Sequence, residues 1–168
     1  MIVRCTRKLL AFLRTAELGR AATSPASDTD WYANLLWVER SKCLLVTHAG
    51  TLFSAFVPDI RSYQLRPFGE FVVSVIRQQL ITEGLADDLF GSLDSADVHV
   101  GKTASRSVLG CMNDMASYIA SDVALCGGLA RCDITDLNQR LRRLIHRPSG
   151  YVPAIELARR QARNGGFA

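Results

Sequence analysis

The stretch WYANLLWVERSKCLLVTHAGTLFSAFV (residues 31–57) decides the fold of this chain. It holds three β-prone runs, and only short turns separate them, at Arg40-Ser41 and at Ala49-Gly50. Runs joined by so few residues favour antiparallel neighbours, as in a meander. Apolar and polar residues do not alternate, so that both faces of CLLV (43–46) would be apolar. We therefore expect a sheet that is covered on both sides, or one that is covered on one side and curled.

The segments on either side of the meander predict short strands and amphipathic helices. The strands are expected near 2–6 and 97–101. Helical spacing of apolar residues predicts the longer helices, at 67–84, 105–125, 134–145 and 153–163. The predicted fold class is therefore α+β, with a central and mainly antiparallel sheet packed by helices.

The domain organisation follows from length and composition. A chain of 168 residues with 48% hydrophobic content is expected to form one domain, 1–168, with its own core. Within it, GRAATSPASDTD (19–30) is predicted to be a mobile loop, and 131–168 a basic, helical C-terminal part. No apolar run approaches the roughly 18 residues that a membrane helix needs. Basic residues at 4, 7, 8 and 14 interrupt any signal-peptide core, so we expect a cytoplasmic protein with no membrane partner.

The charge is distributed unevenly along the chain. Residues 1–20 carry +4 and residues 131–168 carry +5, whereas residues 21–130 carry −5, which leaves a net charge of +4. Basic ends of this kind point to nucleic acid or an acidic protein as partner. Solvated helix faces are the alternative explanation, because no RNP motif, zinc finger or clear helix-turn-helix accompanies the charge.

The start of the predicted helix at 105–125 is a candidate anion-binding site. Free backbone N–H groups and the positive end of the helix dipole favour an anion at such a position. Hydroxyl and cationic side chains surround the first turn in GKTASRS (101–107), namely Lys102, Thr103, Ser105, Arg106 and Ser107. The alternative is architectural: Thr103 or Ser105 would be an ordinary N-cap, and Arg106 would make structural hydrogen bonds.

A polar ridge continues from this helix start. Gly110, Asn113 and Asp114 lie on the face opposite the apolar residues, and all three residue types are poor formers of a helix interior. Gly110 predicts the close approach of another backbone or of a ligand. Asn113 and Asp114 complete the candidate site. Asp114 together with the basic residues at 102 and 106 also gives an alternative to anion binding, namely a metal-independent nuclease.

Other catalytic and metal motifs are absent from the sequence. Gly101-Lys102-Thr103 resembles the end of a phosphate loop, but the glycine that this motif requires is replaced by Ala96. There is no G-x-S-x-G elbow, and the five Cys and three His follow no metal-ligand spacing. We expect no cofactor and no metal, and the sequence favours a non-catalytic role while the nuclease stays an alternative. Reduced, mostly buried thiols are expected, although Cys126 and Cys132 flank two glycines and can approach each other.

Three aromatic residues in the first strand of the meander form a candidate protein interface. Trp31, Tyr32 and Trp37 are expected to be exposed and to anchor a partner. This reading leads to a third kind of function, a protein-interaction or homodimeric module of a plasmid- or defence-type operon.

Several motifs together resemble a known family. MIVRCTRKLL (1–10), WYANLL (31–36), KCLLVTHAGTLFSAFVPDI (42–60) and KTASRSVLGCMND (102–114) are similar to a small bacterial family described as a domain of unknown function. The resemblance covers about residues 1–120. It implies a compact bacterial domain and supplies no activity, cofactor or catalytic residue. The sequence thus favours a non-catalytic binding or regulatory module for an anionic partner, ahead of the interaction module and the nuclease.

Overall fold

The computed structural model describes residues 1–13, 20–22 and 24–165. Its six strands, in chain order, are β1 Ile2–Cys5, β2 Arg20–Ala21, β3 Trp31–Val38, β4 Ser41–His48, β5 Ser54–Val57 and β6 His99–Lys102. Its α-helices are α1 Arg7–Phe12, α2 Phe68–Thr82, α3 Arg106–Leu125, α4 Ile134–Leu141 and α5 Ala154–Gly165. The α+β class is confirmed, and the four longer helices lie where the apolar spacing places them.

The strands form one mixed sheet in the order β2-β6-β1-β3-β4-β5. The predicted meander is present, since β3 pairs antiparallel with β4 from Trp31 opposite His48 to Val38 opposite Ser41, and β4 pairs antiparallel with β5. The short strands join differently, because β1 pairs in parallel with both β3 and β6, and β2 pairs in parallel with β6. The sheet is thus antiparallel through the meander and parallel at its other side.

Helices cover both faces of the sheet, as the apolar character of the meander predicts. Alternate residues of β3 point to opposite sides, so Trp31, Ala33 and Leu35 join one core while Tyr32 and Val38 join the other. The first core packs against α1, α2 and α5, and the second packs against α3 and α4. The result is a three-layer arrangement with the sheet in the middle.

The predicted aromatic interface requires a correction. Trp31 and Tyr32 are 0% and 1% exposed, and only Trp37 is open to solvent, at 60%. The expectation of an exposed patch is wrong for Trp31 and Tyr32 because β3 is an interior strand with a helical layer on each face. Trp31 contacts the Phe90 ring edge to face, with ring centroids 5.4 Å apart. Trp37 lies near the end of β3, and its role in an interface stays a prediction.

The segment predicted as a mobile loop contains a short strand and several fixed contacts. Gly19 and Thr23 lie outside the described residues, whereas Arg20–Ala21 form β2. The Arg4 guanidinium forms an ion pair with the buried Asp30 and donates hydrogen bonds to the carbonyl oxygens of Ser24 and Pro25, at 2.9 and 2.8 Å. The mobility of the segment stays a prediction.

Helix α4 covers the free edge of the sheet at β5. The amide group of Asn138 accepts a hydrogen bond from Phe56 N–H at 2.6 Å and donates one to Phe56 C=O at 2.9 Å. Arg142 donates to the Ser54 carbonyl at 3.1 Å. Side chains thus replace the strand that would otherwise pair there. In the part of the chain that is described, no helix combines the length and the apolar character needed to cross a membrane.

Candidate anion-binding site

The carboxyl ends of β1, β3, β5 and β6 lie at one edge of the sheet, and the two-residue strand β2 runs in the same direction. Strands β1, β3 and β6 are parallel, and β5 runs in the same direction because β4 separates it from β3 by two antiparallel pairings. The carboxyl ends of these four strands therefore point the same way. We call this region the carboxyl edge and define it by the strand ends and the four residues that follow each one, which are 5–9, 38–42, 57–61 and 102–106.

The topology predicts a crevice between the neighbouring strands β1 and β6 at this edge. Helix α1 follows β1 and buries Leu9 in the first core, whereas α3 follows β6 and buries Val108 and Met112 in the second core. Two adjacent parallel strands whose helices depart to opposite faces leave such a crevice, and ligands of open α/β sheets bind there. The candidate residues at the start of α3 thus lie at a place where sheet topology favours a ligand.

The carboxyl edge is strongly basic. Among its described residues, acidic side chains are limited to Glu39 and Asp59, and Asp59 is paired with Arg61 at 2.9 Å. The basic residues of the edge are Arg7, Lys8, Arg40, Lys42, Arg61, Lys102 and Arg106. Several strand ends contribute to this set, so the charge is a product of the fold rather than of one segment.

The first turn of α3 is an N-capped helix start with free cations beside it. The Ser105 hydroxyl accepts a hydrogen bond from Val108 N–H at 3.3 Å, and Ser105 N–H donates to the Tyr32 hydroxyl at 3.1 Å. Ser105 is therefore the N-cap that the architectural alternative describes. The next amide groups of the turn, those of Arg106 and Ser107, have no acceptor within the helix.

The cationic side chains at this helix start are exposed. Within the described ranges, the side chains of Lys102, Arg106 and Ser107 form no hydrogen bond or ion pair, and Thr103 is half-buried beside them. The structural hydrogen bonds expected for Arg106 under the architectural alternative are thus missing from this part of the chain. Free cations next to free amide groups are suited to an anion.

The polar ridge is a separate feature from the helix start. Asn113 and Asp114 are exposed on α3, and a rise of 1.5 Å per residue places Asp114 about 12 Å from Arg106 along the helix axis. The predicted approach of another backbone to Gly110 is wrong, because no atom of the described chain outside the neighbouring backbone of α3 lies within 4 Å of a Cβ built there. The approach of a ligand stays a prediction. The fold therefore brings together the residues at 102–107 and leaves Asn113 and Asp114 apart from them.

A groove with two exposed aromatic rings lies at the β5 side of the carboxyl edge. It has a volume of about 370 Å³, and its lining includes Trp37, Arg40, Lys42, Arg61 and Tyr63. Trp37 is 60% exposed and Tyr63 is 71% exposed. The Lys42 ammonium lies 5.5 Å from the centre of the Trp37 ring, within cation–π range. Tyr63 is not among the residues predicted from the sequence, because its distance from Trp37 along the chain gives no spacing signal.

The basic C-terminal part is largely engaged in ion pairs. Buried Glu83 accepts a hydrogen bond from buried Arg142 at 2.9 Å and also pairs with Arg143 and Arg159. Burial lowers the pKa of Arg142, and the neighbouring carboxylate opposes this effect. Much of the charge of residues 131–168 is therefore engaged in ion pairs within the fold, which is a different explanation from both an acidic partner and solvated helix faces.

The fold and the edge together define the class, an α+β domain whose mixed sheet lies between two helical layers and ends in a basic edge. The chain belongs to the family DUF6933, a domain of unknown function, whose family model matches residues 2–157. No curated protein and no solved structure matches the chain. The family match confirms the resemblance seen in the motifs.

Proposed function

We propose that this domain is a non-catalytic binding module that takes a phosphate-bearing partner, single-stranded nucleic acid in particular, at its carboxyl edge. The observation that carries the proposal is a pair of exposed cations, Lys102 and Arg106, which have no partner among the described residues and lie where the topology predicts a crevice between β1 and β6. Guanidinium and ammonium groups beside free helix amides are donors suited to phosphate oxygens.

The aromatic groove supports nucleic acid over a simple anion. Nucleic acid in single-stranded form is bound by cations that follow the backbone and by aromatic rings on which the bases stack. Trp37 and Tyr63 supply exposed rings, and Arg40 and Lys42 lie beside them. Strand spacing of about 4.8 Å puts β6 and β5 roughly 19 Å apart, so an extended strand can contact the helix start and the groove together.

The spacing along α3 supports binding rather than hydrolysis. A phosphodiester reaction needs its acid, base and cations around one phosphorus atom. Asp114 is about 12 Å along the helix from Arg106 and so does not share a phosphate with it. The nuclease alternative therefore has less support than binding does.

A second candidate function is a protein-interaction or homodimeric module. The observation that favours it is again the pair of exposed aromatic rings, since Trp37 and Tyr63 are residue types that anchor protein interfaces. An acidic protein would also match the charge of the edge. The two candidates differ in what the aromatic residues contact, and this difference can be measured.

Fluorescence anisotropy with a labelled single-stranded oligonucleotide tests the proposal. We expect Trp37→Ala and Tyr63→Ala each to weaken binding about tenfold, because a stacked base contributes about 1–3 kcal/mol. Tyr151→Ala is the matched control, since Tyr151 is 62% exposed but lies outside the groove. A chain that does not bind the oligonucleotide but dimerises as its concentration rises would support the interaction module instead, provided that Trp37→Ala abolishes the dimerisation.

A further inference from the structure

The end of α3 and the loop after it bring together three side chains of the kinds that bind metals. One ligand atom each from Asp122, Cys126 and Cys132 lies within 4.8 Å of the other two. The cluster is distinct from the candidate residues at the start of α3. Its thiols are also the pair that flanks Gly127 and Gly128.

The local sequence explains why these residues meet. Asp122 and Cys126 are four residues apart at the end of α3, so both point to the same side of the helix. Gly127 and Gly128 have φ values of 79° and 117°, a backbone region that residues other than glycine rarely adopt. These two glycines let the chain reverse direction after α3. A short 3-10 turn over residues 129–131 then returns Cys132 to the helix end.

Two of the three distances within the cluster are close to the edges of a zinc coordination tetrahedron. The two Sγ atoms are 3.4 Å apart, and Cys132 Sγ lies 3.7 Å from Asp122 Oδ2. Bond lengths of about 2.3 Å to sulfur and 2.1 Å to oxygen give tetrahedral edges of about 3.8 and 3.6 Å. These two distances differ from the tetrahedral edges by about 0.4 Å or less, and the third, from Cys126 Sγ to the Asp122 carboxylate, is within 4.8 Å.

The charges around the cluster favour a divalent cation. Asp122 and Cys132 are buried, and Arg140 donates to Asp122 Oδ2 at 2.8 Å. Two thiolates and one carboxylate carry three negative charges, which a divalent ion and Arg140 balance. The negative end of the α3 dipole points to the same place.

We propose that Asp122, Cys126 and Cys132 bind one zinc ion, with water as the fourth ligand. Binding replaces the two thiol protons with two Zn–S bonds and releases those protons to solvent, without any redox step. The ion would hold the end of α3 to the segment that leads into α4. Unlike the nucleic acid proposal, this one does not depend on the carboxyl edge.

Titration of the full-length, reduced chain with Zn²⁺ and with Co²⁺ tests the site. We expect one ion per chain, thiolate-to-cobalt charge-transfer absorption, and a rise in Tm on binding. Cys126→Ser and Asp122→Asn should each weaken zinc binding by about tenfold or more. Cys111→Ser is the matched control, because Cys111 is a buried thiol of α3 outside the cluster, and it should bind zinc as the unaltered chain does.

Two results would overturn the site. One is a reduced chain that shows no thiolate-to-cobalt absorption and no zinc-dependent rise in Tm. The other is zinc binding that is as tight in a Cys126→Ser/Asp122→Asn double variant as in the unaltered chain. Cys126 is only half-buried, so we expect the Cys126→Ser variant to fold. The test therefore does not depend on whether a Cys132→Ser variant folds.

Discussion

His48 shows at the level of one residue how burial controls ionisation. Its ring stacks on Phe90 at 4.3 Å between ring centroids and contacts Trp31 at 5.1 Å, and its Nδ1 shares a 3.0 Å hydrogen bond with the Thr51 hydroxyl. Burial lowers its pKa to about 4, and the nearby Asp30 carboxylate opposes this shift. The folded protein therefore keeps His48 neutral at a pH where the unfolded chain protonates it.

This ionisation predicts a loss of stability in mild acid. Between about pH 6.5 and pH 4 the unfolded chain binds the proton and the folded chain does not, so the free energy of unfolding should fall as the pH decreases. With pKa values of about 6.5 in the unfolded chain and about 4 in the folded one, the loss between pH 7 and pH 4.5 should be about 2.5 kcal/mol. Urea unfolding at pH 7 and at pH 4.5 measures it.

A His48→Phe variant is the control for this pH effect. It keeps an aromatic ring against Trp31 and Phe90 and removes the titrating group. The difference in unfolding free energy between the two pH values should shrink in the variant, and what remains includes the contribution of His146, whose pKa burial also lowers. An equal pH dependence in both proteins would contradict the assignment to His48.

Gly110 is a position in α3 at which a substitution should stabilise the helix. Because the space around its Cβ position is open in the described chain, alanine should fit without a clash. We expect Gly110→Ala to raise the free energy of unfolding by about 1 kcal/mol, since glycine costs this much in a helix interior. Thermal unfolding measures the change, and a destabilised variant would reveal a contact at this face of α3.

At the level of elements, α4 protects the edge of β5. Asn138→Ala would leave both peptide groups of Phe56 without their partners, so we expect it to lower the free energy of unfolding by about 2–3 kcal/mol. Gln139→Ala, at the next position of α4, is the control and should change the free energy of unfolding by less than about 0.5 kcal/mol. Urea unfolding of the two variants checks this, and equal effects would argue against the edge contact.

The elements differ in how far the sequence predicts them. The meander was predictable because adjacent β-prone runs joined by short turns usually pair with each other. Helix α3 was predictable from its N-cap Ser105 and from the glycines at its end. The parallel pairing of β1 with β6 was not predictable, since about 90 residues separate these strands and no local pattern encodes such a contact. The burial of Trp31 and Tyr32 followed from the same pairings.

At the level of the whole molecule, the basic residues are distributed differently in the folded protein than along the sequence. Along the sequence the basic residues belong to the two ends, but many C-terminal arginines pair with carboxylates such as Glu83 and Asp122. The carboxyl edge instead collects cations from several segments, including the acidic middle of the chain. Lys102 and Arg106 were predictable from the helix start, whereas the groove of Trp37 and Tyr63 depends on strand order.

The proposed phosphate-binding role of Lys102 and Arg106 is best measured through the salt dependence of oligonucleotide binding. Anisotropy titrations of a labelled single strand from about 50 to about 200 mM salt should give a log affinity that falls linearly with log salt. Removing both cations in Lys102→Ala/Arg106→Ala should weaken binding and make the slope shallower by about 1.4, at about 0.7 per phosphate contact. Arg160→Ala/Arg163→Ala, which removes the same charge from α5, should leave the slope unchanged. No binding at low salt, or equal slopes in the two double variants, would contradict the proposed site.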